Sequence, residues 1–254
     1  MVSYSVLGSG SSGNSYLIAH AGEALLIDCG FSFKEIKKRI GVAGFDINNL
    51  QGLLLTHLHP DHARGAGVFA RQTGKPVFVN AEVLLAPELV DLRIPVESLI
   101  PFKVEQGFTL ASFKVESFAT MHDSPHSVGF AVEVAGKQLA ILTDTGTFNN
   151  QMVQVAQKAD VLFLEANYDE TMLLQGPYPH FLKMRILGQK GHLSNDEAIE
   201  LLNALNGGPQ RVYFCHLSKT NNHPRVVAES CKERLQWVGE VTICHHGEQY
   251  NGTL

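Results

Sequence analysis

The chain has 254 residues, of which 44% are hydrophobic and 18% are charged. This is enough apolar material for one sizeable core, so we expect a single domain over residues 1–254. The formal net charge of -5 lacks the basic excess typical of nucleic-acid-binding proteins, although two bound divalent cations would reduce it to about -1. Because the sequence shows neither a signal-like start nor an apolar run of membrane-spanning length, we expect a cytoplasmic protein with no membrane partner.

The first part of the chain predicts three strands around a glycine-rich turn. The strands cover residues 2–7, 16–18 and 24–28, and the turn lies between Gly8 and Ser15. Glycines expose backbone amides that can cradle an anion, but an ordinary hairpin connection fits this composition equally well. If the turn binds phosphate, the candidate contacts are Ser11, Ser12 and Asn14. Asp28 ends the third strand, where it could orient a metal-binding histidine or cap the next turn.

Three histidines and an aspartate follow the next apolar run within six residues. The run Gly52 to Leu55 predicts a buried strand, and Thr56-His57-Leu58-His59-Pro60-Asp61-His62 follows directly. Alternate side chains of an extended segment point the same way, so His57 and His59 can share one metal ion. Asp61 and His62 lie past the turn at Pro60 and can reach a second. Imidazole and carboxylate groups suit zinc, manganese or iron, so we predict two divalent transition-metal ions.

The remaining pattern alternates between strands and helices. Capping boxes predict helices that open at Ser32 and at Ser194, and Pro224 is a natural first residue for the last helix. Other helices are predicted over residues 61–72, 81–86 and 179–191. The predicted strands cover residues 77–79, 113–119, 128–134, 138–142, 160–164, 211–215 and 241–244. The four cysteines show no CxxC spacing, which favours reduced thiols.

Several later strands also end in candidate ligands. His122, Asp144 and His216 each stand at a predicted strand terminus, and Asp144 could bridge two cations with its two oxygens. His126 is a weaker candidate than His122. His192 lies just before a helix N-terminus, although a lone histidine there is more often structural.

The ordered ligand set resembles that of metallo-β-lactamase-fold hydrolases. The resemblance implies an α/β fold, a four-layer αββα sandwich with a dinuclear site at one edge of its two sheets. It implies that His57, His59 and His122 hold one metal and that Asp61, His62 and His216 hold the other, with Asp144 as the bridge. Asp28 matches the family's strand-end aspartate, which supports a role in orienting a ligand from outside the coordination sphere.

Within that superfamily the chain resembles the YycJ/WalJ-type proteins. The matching segments are Ser9 to Ser15, Glu165-Ala166-Asn167, Gly176 to Pro179, Gly191 to Asn195 and His216-Leu217-Ser218. This resemblance implies a bacterial cytoplasmic exonuclease that acts 5′ to 3′ on DNA. A more distant similarity to tRNase Z implies that His192 donates a proton or contacts phosphate. The chain lacks the β-CASP insertion and the long tRNA-binding arm of larger relatives, which leaves the substrate less defined than the chemistry.

The resulting hypothesis is metal-dependent phosphodiester hydrolysis of nucleic acid, with DNA favoured over RNA. Water activated by two cations attacks phosphorus, Asp61 orients it, and His192 protonates the leaving oxygen. The candidate substrate contacts are the serines and Asn14 of the glycine-rich turn together with Lys183, Arg185 and Ser218. The alternatives are a glyoxalase II-like thioester hydrolase and a non-catalytic metal-binding regulator. No obligatory protein partner is inferred.

Overall fold

Two seven-stranded sheets form the centre of the structure, a computed structural model that describes residues 1–254. The first sheet has the order β14-β1-β2-β3-β4-β5-β6 and the second β13-β12-β11-β10-β9-β8-β7. The strands are β1 Val2–Gly8, β2 Ser15–His20, β3 Glu23–Ile27, β4 Leu50–Leu54, β5 Val77–Asn80, β6 Leu99–Phe102, β7 Phe108–Leu110, β8 Phe113–Ala119, β9 Val128–Val134, β10 Lys137–Leu142, β11 Val161–Glu165, β12 Arg211–Cys215, β13 Glu240–Ile243 and β14 Tyr250–Thr253.

Nine α-helices connect or flank these strands. They are α1 Phe33–Val42, α2 Pro60–Ala63, α3 Ala66–Thr73, α4 Pro87–Asp91, α5 Asn150–Lys158, α6 Glu170–Gln175, α7 His180–Leu187, α8 Asn195–Asn203 and α9 Pro224–Arg234. The predicted capping box of α8 is present, because Ser194 and Glu197 satisfy each other's backbone amides. No helix combines the length and apolar character that a membrane crossing requires.

The two-residue period of the strands decides which core each side chain enters. In β2, Tyr16 and Ile18 face the second sheet, whereas Leu17 and Ala19 face the helices outside the first sheet. β11 behaves in the same way, with Phe163 between the sheets and Leu164 under the outer helices. Strands buried on both faces therefore appear in the sequence as continuous apolar runs.

Helices cover both outer faces and complete four layers. Ile36 and Ile40 of α1 and Phe69 of α3 pack on the first sheet. On the second sheet, Met152 of α5 belongs to the same apolar cluster as the buried residues of α8 and α9. The predicted αββα sandwich is confirmed.

The helix predicted over residues 61–72 is interrupted after one turn. The backbone N–H of Gly65 donates to the Cys29 carbonyl at 2.9 Å, and the His62 carbonyl accepts from the Cys29 N–H at 2.7 Å. These bonds to the segment after β3 replace helical ones. A Cβ atom at Gly65 would lie 2.3 Å from the Phe31 carbonyl oxygen, so the close approach requires glycine. The break separates α2, which carries Asp61 and His62, from α3.

Other differences concern short elements with weak patterns. The predicted helix at 81–86 is a single 3-10 turn over Ala81–Val83, and α5 and α6 form in segments for which no helix was predicted. The prediction that residues 241–244 form the closing strand omitted β14, which pairs antiparallel with β1 at the edge of the first sheet. All four cysteines are free thiols.

Phe163 provides a test of the core between the sheets. Its ring is fully buried and lies 5.2 Å from the Tyr16 ring and 5.4 Å from the Tyr213 ring, measured between centroids. We expect Phe163→Ala to lower the free energy of unfolding by about 3–5 kcal/mol in urea denaturation, because it removes apolar contacts and leaves a cavity. The control Val238→Ala, at a side chain that is 92% exposed, should change it by less than about 0.5 kcal/mol. Equal effects of the two substitutions would contradict this packing.

Candidate metal centre

Polar side chains gather where strands of both sheets end at the same edge of the sandwich. Asp28 follows β3, the histidine-rich segment follows β4, and His122 follows β8. Asp144 and His216 follow β10 and β12. Three of these residues, Asp28, Asp144 and His216, have positive φ angles of 59°, 55° and 58°. A left-handed residue turns the chain sharply at the strand end, at a cost of about 1–3 kcal/mol each.

His57, His59 and His122 form a first cluster of nitrogen donors. One ring nitrogen from each lies within 4.8 Å of the others, and His122 Nε2 is 3.2 Å from His59 Nδ1. The rings of His57 and His59 meet edge to face with centroids 4.8 Å apart. Three imidazole nitrogens that converge in this way can hold one metal ion.

Asp61, His62 and His216 form a second cluster beside the first. His216 Nε2 lies 3.4 Å from Asp61 Oδ2, and His62 Nε2 lies 3.8 Å from the same oxygen. Asp144 stands between the clusters, with Oδ2 at 3.1 Å from His62 Nε2 and Oδ1 at 3.5 Å from His122 Nε2. The arrangement offers two adjacent cation positions with one shared carboxylate.

Hydrogen bonds from the surrounding protein fix the outward nitrogen of four of these histidines. A carbonyl or carboxylate oxygen only accepts, so the ring nitrogen that faces it carries the proton. The partners are Gly191 O for His122 Nδ1 at 2.9 Å, Asp28 Oδ2 for His62 Nδ1 at 2.7 Å, Glu165 Oε1 for His216 Nδ1 at 2.8 Å and Thr56 Oγ1 for His57 Nδ1 at 3.0 Å. The Thr56 hydroxyl itself donates to Asp28 and therefore accepts from His57. The inward nitrogens keep their lone pairs for a metal.

Unpaired buried atoms show that this donor set fits cations. His57 Nε2 and Asp144 Oδ2 are buried and have no hydrogen-bond partner. Asp144 Oδ2 does lie close to His62 Nε2, but when His62 is neutral its only proton is on Nδ1 and both facing atoms are electron-rich. Leaving a buried polar group unsatisfied costs about 1–3 kcal/mol, which a divalent cation between these atoms would offset. Imidazole nitrogens and carboxylate oxygens are the ligands that such cations prefer.

Without a bound cation, His57 is neutral, whereas His62 and His216 are protonated. Burial lowers the pKa of His57 well below 6.5, so its ring is neutral. Burial alone would also lower the pKa of His62, but Asp144 and Asp28 raise it to about 10. For His216, Asp144 and Asp61 likewise outweigh burial and raise the pKa well above 6.5. His62 and His216 therefore hold protons at neutral pH that a metal ion must displace.

A cleft of about 220 Å³ opens over both clusters. His59, Asp61, Asp144 and His216 line its floor, and polar or apolar side chains from other segments form its walls. The walls include Ser11, Asp123, Asn167, Tyr178, Leu182, Arg185, Ile186, His192 and Ser218. A substrate group that enters this cleft meets the metal-binding residues directly.

Comparison with known proteins agrees with this architecture. Residues 23–217 match the family model described as the beta-lactamase superfamily domain. The chain is 34% identical over 237 residues to exodeoxyribonuclease YycJ of Bacillus anthracis, which covers 93% of this chain and 90% of the relative. It is 35% identical over 222 residues to exodeoxyribonuclease WalJ of Streptococcus pneumoniae, covering 86% of this chain and 82% of the relative. The chain belongs to the YycJ/WalJ family of the β-lactamase superfamily.

Two further similarities concern one segment of the chain and the overall fold. A segment of 74 residues, 26% of this chain and 25% of the relative, is 39% identical to ribonuclease Z of a Mycobacterium strain, which confirms the more distant resemblance. The metallo-β-lactamase-fold protein YhfI of Bacillus subtilis superposes with a TM-score of 0.74 at 19% identity, covering 98% of this chain and 99% of that one. That structure supports the fold. The relatives and the metal-binding clusters together make this YycJ/WalJ-family chain a metal-dependent hydrolase.

His192 lies at the wall of the cleft in this YycJ/WalJ-family site. Its ring centroid is 4.9 Å from that of His122 and 5.3 Å from that of His216, and its side chain is 21% exposed. Nδ1 donates to Glu165 Oε1 at 2.7 Å, so Nε2 is the nitrogen available to the cleft.

The candidate substrate contacts divide into two groups. Ser11, Arg185 and Ser218 line the cleft. Ser12 and Lys183 do not, and the Lys183 ammonium donates to the Leu174 carbonyl at 2.7 Å. Asn14 is fully buried beneath the second cluster, where its Nδ2 lies 3.0 Å from His62 Nε2 and its Oδ1 accepts from the Gly10 N–H at 2.8 Å. It therefore supports the glycine-rich turn and does not face the cleft. His126 pairs with Glu82 at the surface, away from the clusters.

Sequence reasoning assigned no role to Glu165, which holds two histidines at once. This fully buried carboxylate accepts from His192 and His216 through Oε1 and from the Thr145 and Leu193 N–H groups through Oε2. Its burial raises its pKa, but His192 and His216 outweigh this and hold the pKa below 4.5. The available signal was its position: like Asp28 and Asp144, it closes an apolar strand.

The protonation of His62 predicts that metal affinity depends on pH. Its pKa of about 10 lies above the ordinary 6.5, so its proton is bound at neutral pH and must leave when metal binds. We expect the apparent affinity for zinc to rise with pH by about tenfold per unit for each displaced proton. Calorimetric zinc titrations in buffers of different ionisation heat measure the proton count. The control His126→Gln should behave as the wild type, and an affinity that is constant between about pH 6 and 8 would contradict the assignment.

Proposed function

We propose that this protein is a 5′-to-3′ DNA exonuclease that works with two divalent metal ions, zinc or manganese, with iron as a further fitting ion. The observation that carries the proposal is the similarity to exodeoxyribonucleases of Bacillus anthracis and Streptococcus pneumoniae over most of both chains. The cleft over the two donor clusters adds chemical support. A DNA substrate agrees with the cytoplasmic location expected from the sequence.

In this proposal the two clusters hold the two cations. His57, His59 and His122 would hold one ion, Asp61, His62 and His216 would hold the other, and the Asp144 carboxylate would serve both. Asp28 orients His62 from outside. When bound, the two cations supply activation of the attacking water and neutralisation of the charge that builds up on the phosphate oxygens.

His192 is the proposed general acid. Glu165 fixes its ring by accepting from Nδ1, so a proton on Nε2 is directed to the cleft where the leaving oxygen of a phosphodiester would lie. Cleavage of a P–O bond requires this proton, because an alkoxide is a poor leaving group.

Asp61 and two serines supply the remaining proposed contacts. The Asp61 carboxylate lies in the cleft, and although burial opposes it, His216 and His62 hold its pKa at about 2. It is therefore ionised and can accept a hydrogen bond from the attacking water. The Ser218 hydroxyl oxygen accepts from the Asn221 N–H at 3.2 Å, which leaves its own proton free for a phosphate oxygen. Ser11 faces the same cleft.

His192→Ala tests the general acid. We expect both metal ions to remain bound, because His192 belongs to neither of the two proposed ligand clusters. We expect kcat on a DNA substrate to fall by roughly 10²- to 10⁴-fold. Metal analysis and steady-state kinetics measure the two effects. The control His180→Ala removes an exposed histidine of α7 and should leave both unchanged. Wild-type turnover by His192→Ala would contradict the assignment.

A substrate panel tests the proposed activity itself. Single- and double-stranded DNA and RNA, labelled at the 5′ end, and a lactoylglutathione-type thioester are incubated with the protein and zinc or manganese. We expect DNA to be degraded with the labelled nucleotide released first, which defines 5′-to-3′ polarity. Hydrolysis of only the thioester would favour a glyoxalase II-like enzyme. Metal binding with no hydrolysis of any substrate would favour a non-catalytic regulator, and either result would overturn the proposal.

A further inference from the structure

The Asp123 carboxylate is neither part of the hydrophobic core nor one of the proposed metal ligands. It follows His122 in the loop after β8, and it lines the cleft. Its Oδ1 atom is buried and has no hydrogen-bond partner, whereas Oδ2 accepts from the Arg185 guanidinium of α7. The two side chains form an ion pair.

The unpaired Asp123 Oδ1 lies beside His59. Among the five cluster histidines, His59 is the one whose outward nitrogen, Nε2, has no hydrogen-bond partner. Asp123 Oδ1 lies 3.6 Å from His59 Nε2 and 3.4 Å from His122 Nε2, but the Gly191 carbonyl already holds the ring proton of His122 on Nδ1. His59 Nδ1 points to the first cluster at 3.2 Å from His122 Nε2. The other four cluster histidines have their outward nitrogens held by Thr56, Gly191, Asp28 and Glu165. At 3.6 Å the contact is longer than a hydrogen bond and acts through charge.

We propose that Asp123 is a positioning residue for the first metal: it keeps the His59 proton on Nε2, so that the Nδ1 lone pair faces the cation, and Arg185 holds Asp123 in place. A negative charge next to Nε2 stabilises the tautomer that carries hydrogen there. The same charge increases the basicity of the ligating nitrogen, as outer carboxylates do at metal sites.

This role replaces the substrate contact that the sequence suggested for Arg185. A guanidinium bonded to a carboxylate has much of its charge offset locally, so it is less available to a phosphate. The ion pair also links α7, which forms one wall of the cleft, to the first metal cluster. This role rests on the proposed ligand set, and zinc affinity can be measured without the proposed nuclease activity.

Zinc affinity of the whole protein, measured by competition with a chromophoric chelator, tests the proposal. We expect Asp123→Ala to weaken zinc binding at the first position by about 10- to 100-fold. Arg185→Ala should weaken it in the same direction by less. The double variant should resemble Asp123→Ala, because Arg185 acts through Asp123. The matched control Glu82→Gln breaks the His126 pair, which involves the same loop, and should leave zinc affinity unchanged.

Nitrogen-15 NMR of the histidine rings provides a signature that a general packing role would not produce. In the zinc-bound wild type we expect His59 to ligate through Nδ1 with its proton on Nε2, and in Asp123→Ala a fraction of the other tautomer. Equal thermal unfolding of the chelator-treated variants and wild type checks folding, and Arg185→Ala changes a side chain that is 57% exposed. Unchanged zinc affinity in Asp123→Ala, or ligation by His59 Nε2 in the wild type, would overturn the proposal. The proposal would also be overturned if the loss of zinc affinity in the double variant equalled the sum of the losses in Asp123→Ala and Arg185→Ala.

Discussion

The edge of this sandwich concentrates more buried electron-rich atoms than hydrogen bonds can satisfy. Without a cation, His57 Nε2 has no partner and Asp144 Oδ2 has only a proton on His62 Nε2, 3.1 Å away. The inward nitrogens of the neighbouring histidines converge on the same small volume. A well-packed protein keeps few such atoms, because each costs free energy of folding. The charge that would compensate them is a pair of divalent cations. Much of the surrounding polar structure, from the Thr56 hydroxyl to the Glu165 carboxylate, orients donors toward those two positions.

The fold makes this edge possible by placing strand ends side by side. In each sheet, parallel neighbours such as β3 and β4 or β10, β11 and β12 end at the same edge, and the two sheets pack face to face. Three site residues then turn in the left-handed region. Backbone strain of this kind persists where the surrounding structure enforces it, and here hydrogen bonds contribute: the His216 N–H donates to Ser9 Oγ at 2.6 Å and the Asp28 N–H to the Leu54 carbonyl at 2.8 Å.

The sequence was most informative where a local rule applies. The segment after the buried strand β4 carries His57, His59, Asp61 and His62 at spacings that send their side chains to two neighbouring positions. Continuous apolar runs or alternating patterns mark most strands. The same rules could not find β14, because Tyr250-Asn-Gly-Thr253 has no alternating pattern and is held by pairing with β1. Nor could they show that the continuous helix expected over 61–72 breaks at Gly65, which depends on contacts with the segment after β3.

The roles of single polar residues required the tertiary structure. Glu165 reaches His192 and His216, which are 27 and 51 residues away, and Asp123 meets Arg185 across 62 residues. A strand-end position marks Glu165 as a candidate but does not name its partners. For Asn14 the local signal was misleading. A polar residue in a glycine-rich turn suggests an anion site at the surface, but the structure buries Asn14 under His62.

The two adjacent cation positions are the central feature of the site. Crystals of the protein grown with manganese or zinc, measured at the absorption edge of that metal, would locate the ions by anomalous scattering. We expect two peaks in each chain, one among His57, His59 and His122, the other among Asp61, His62 and His216, with Asp144 between them. A single peak, or ions bound elsewhere while these side chains keep their own contacts, would contradict the proposed two-cation site.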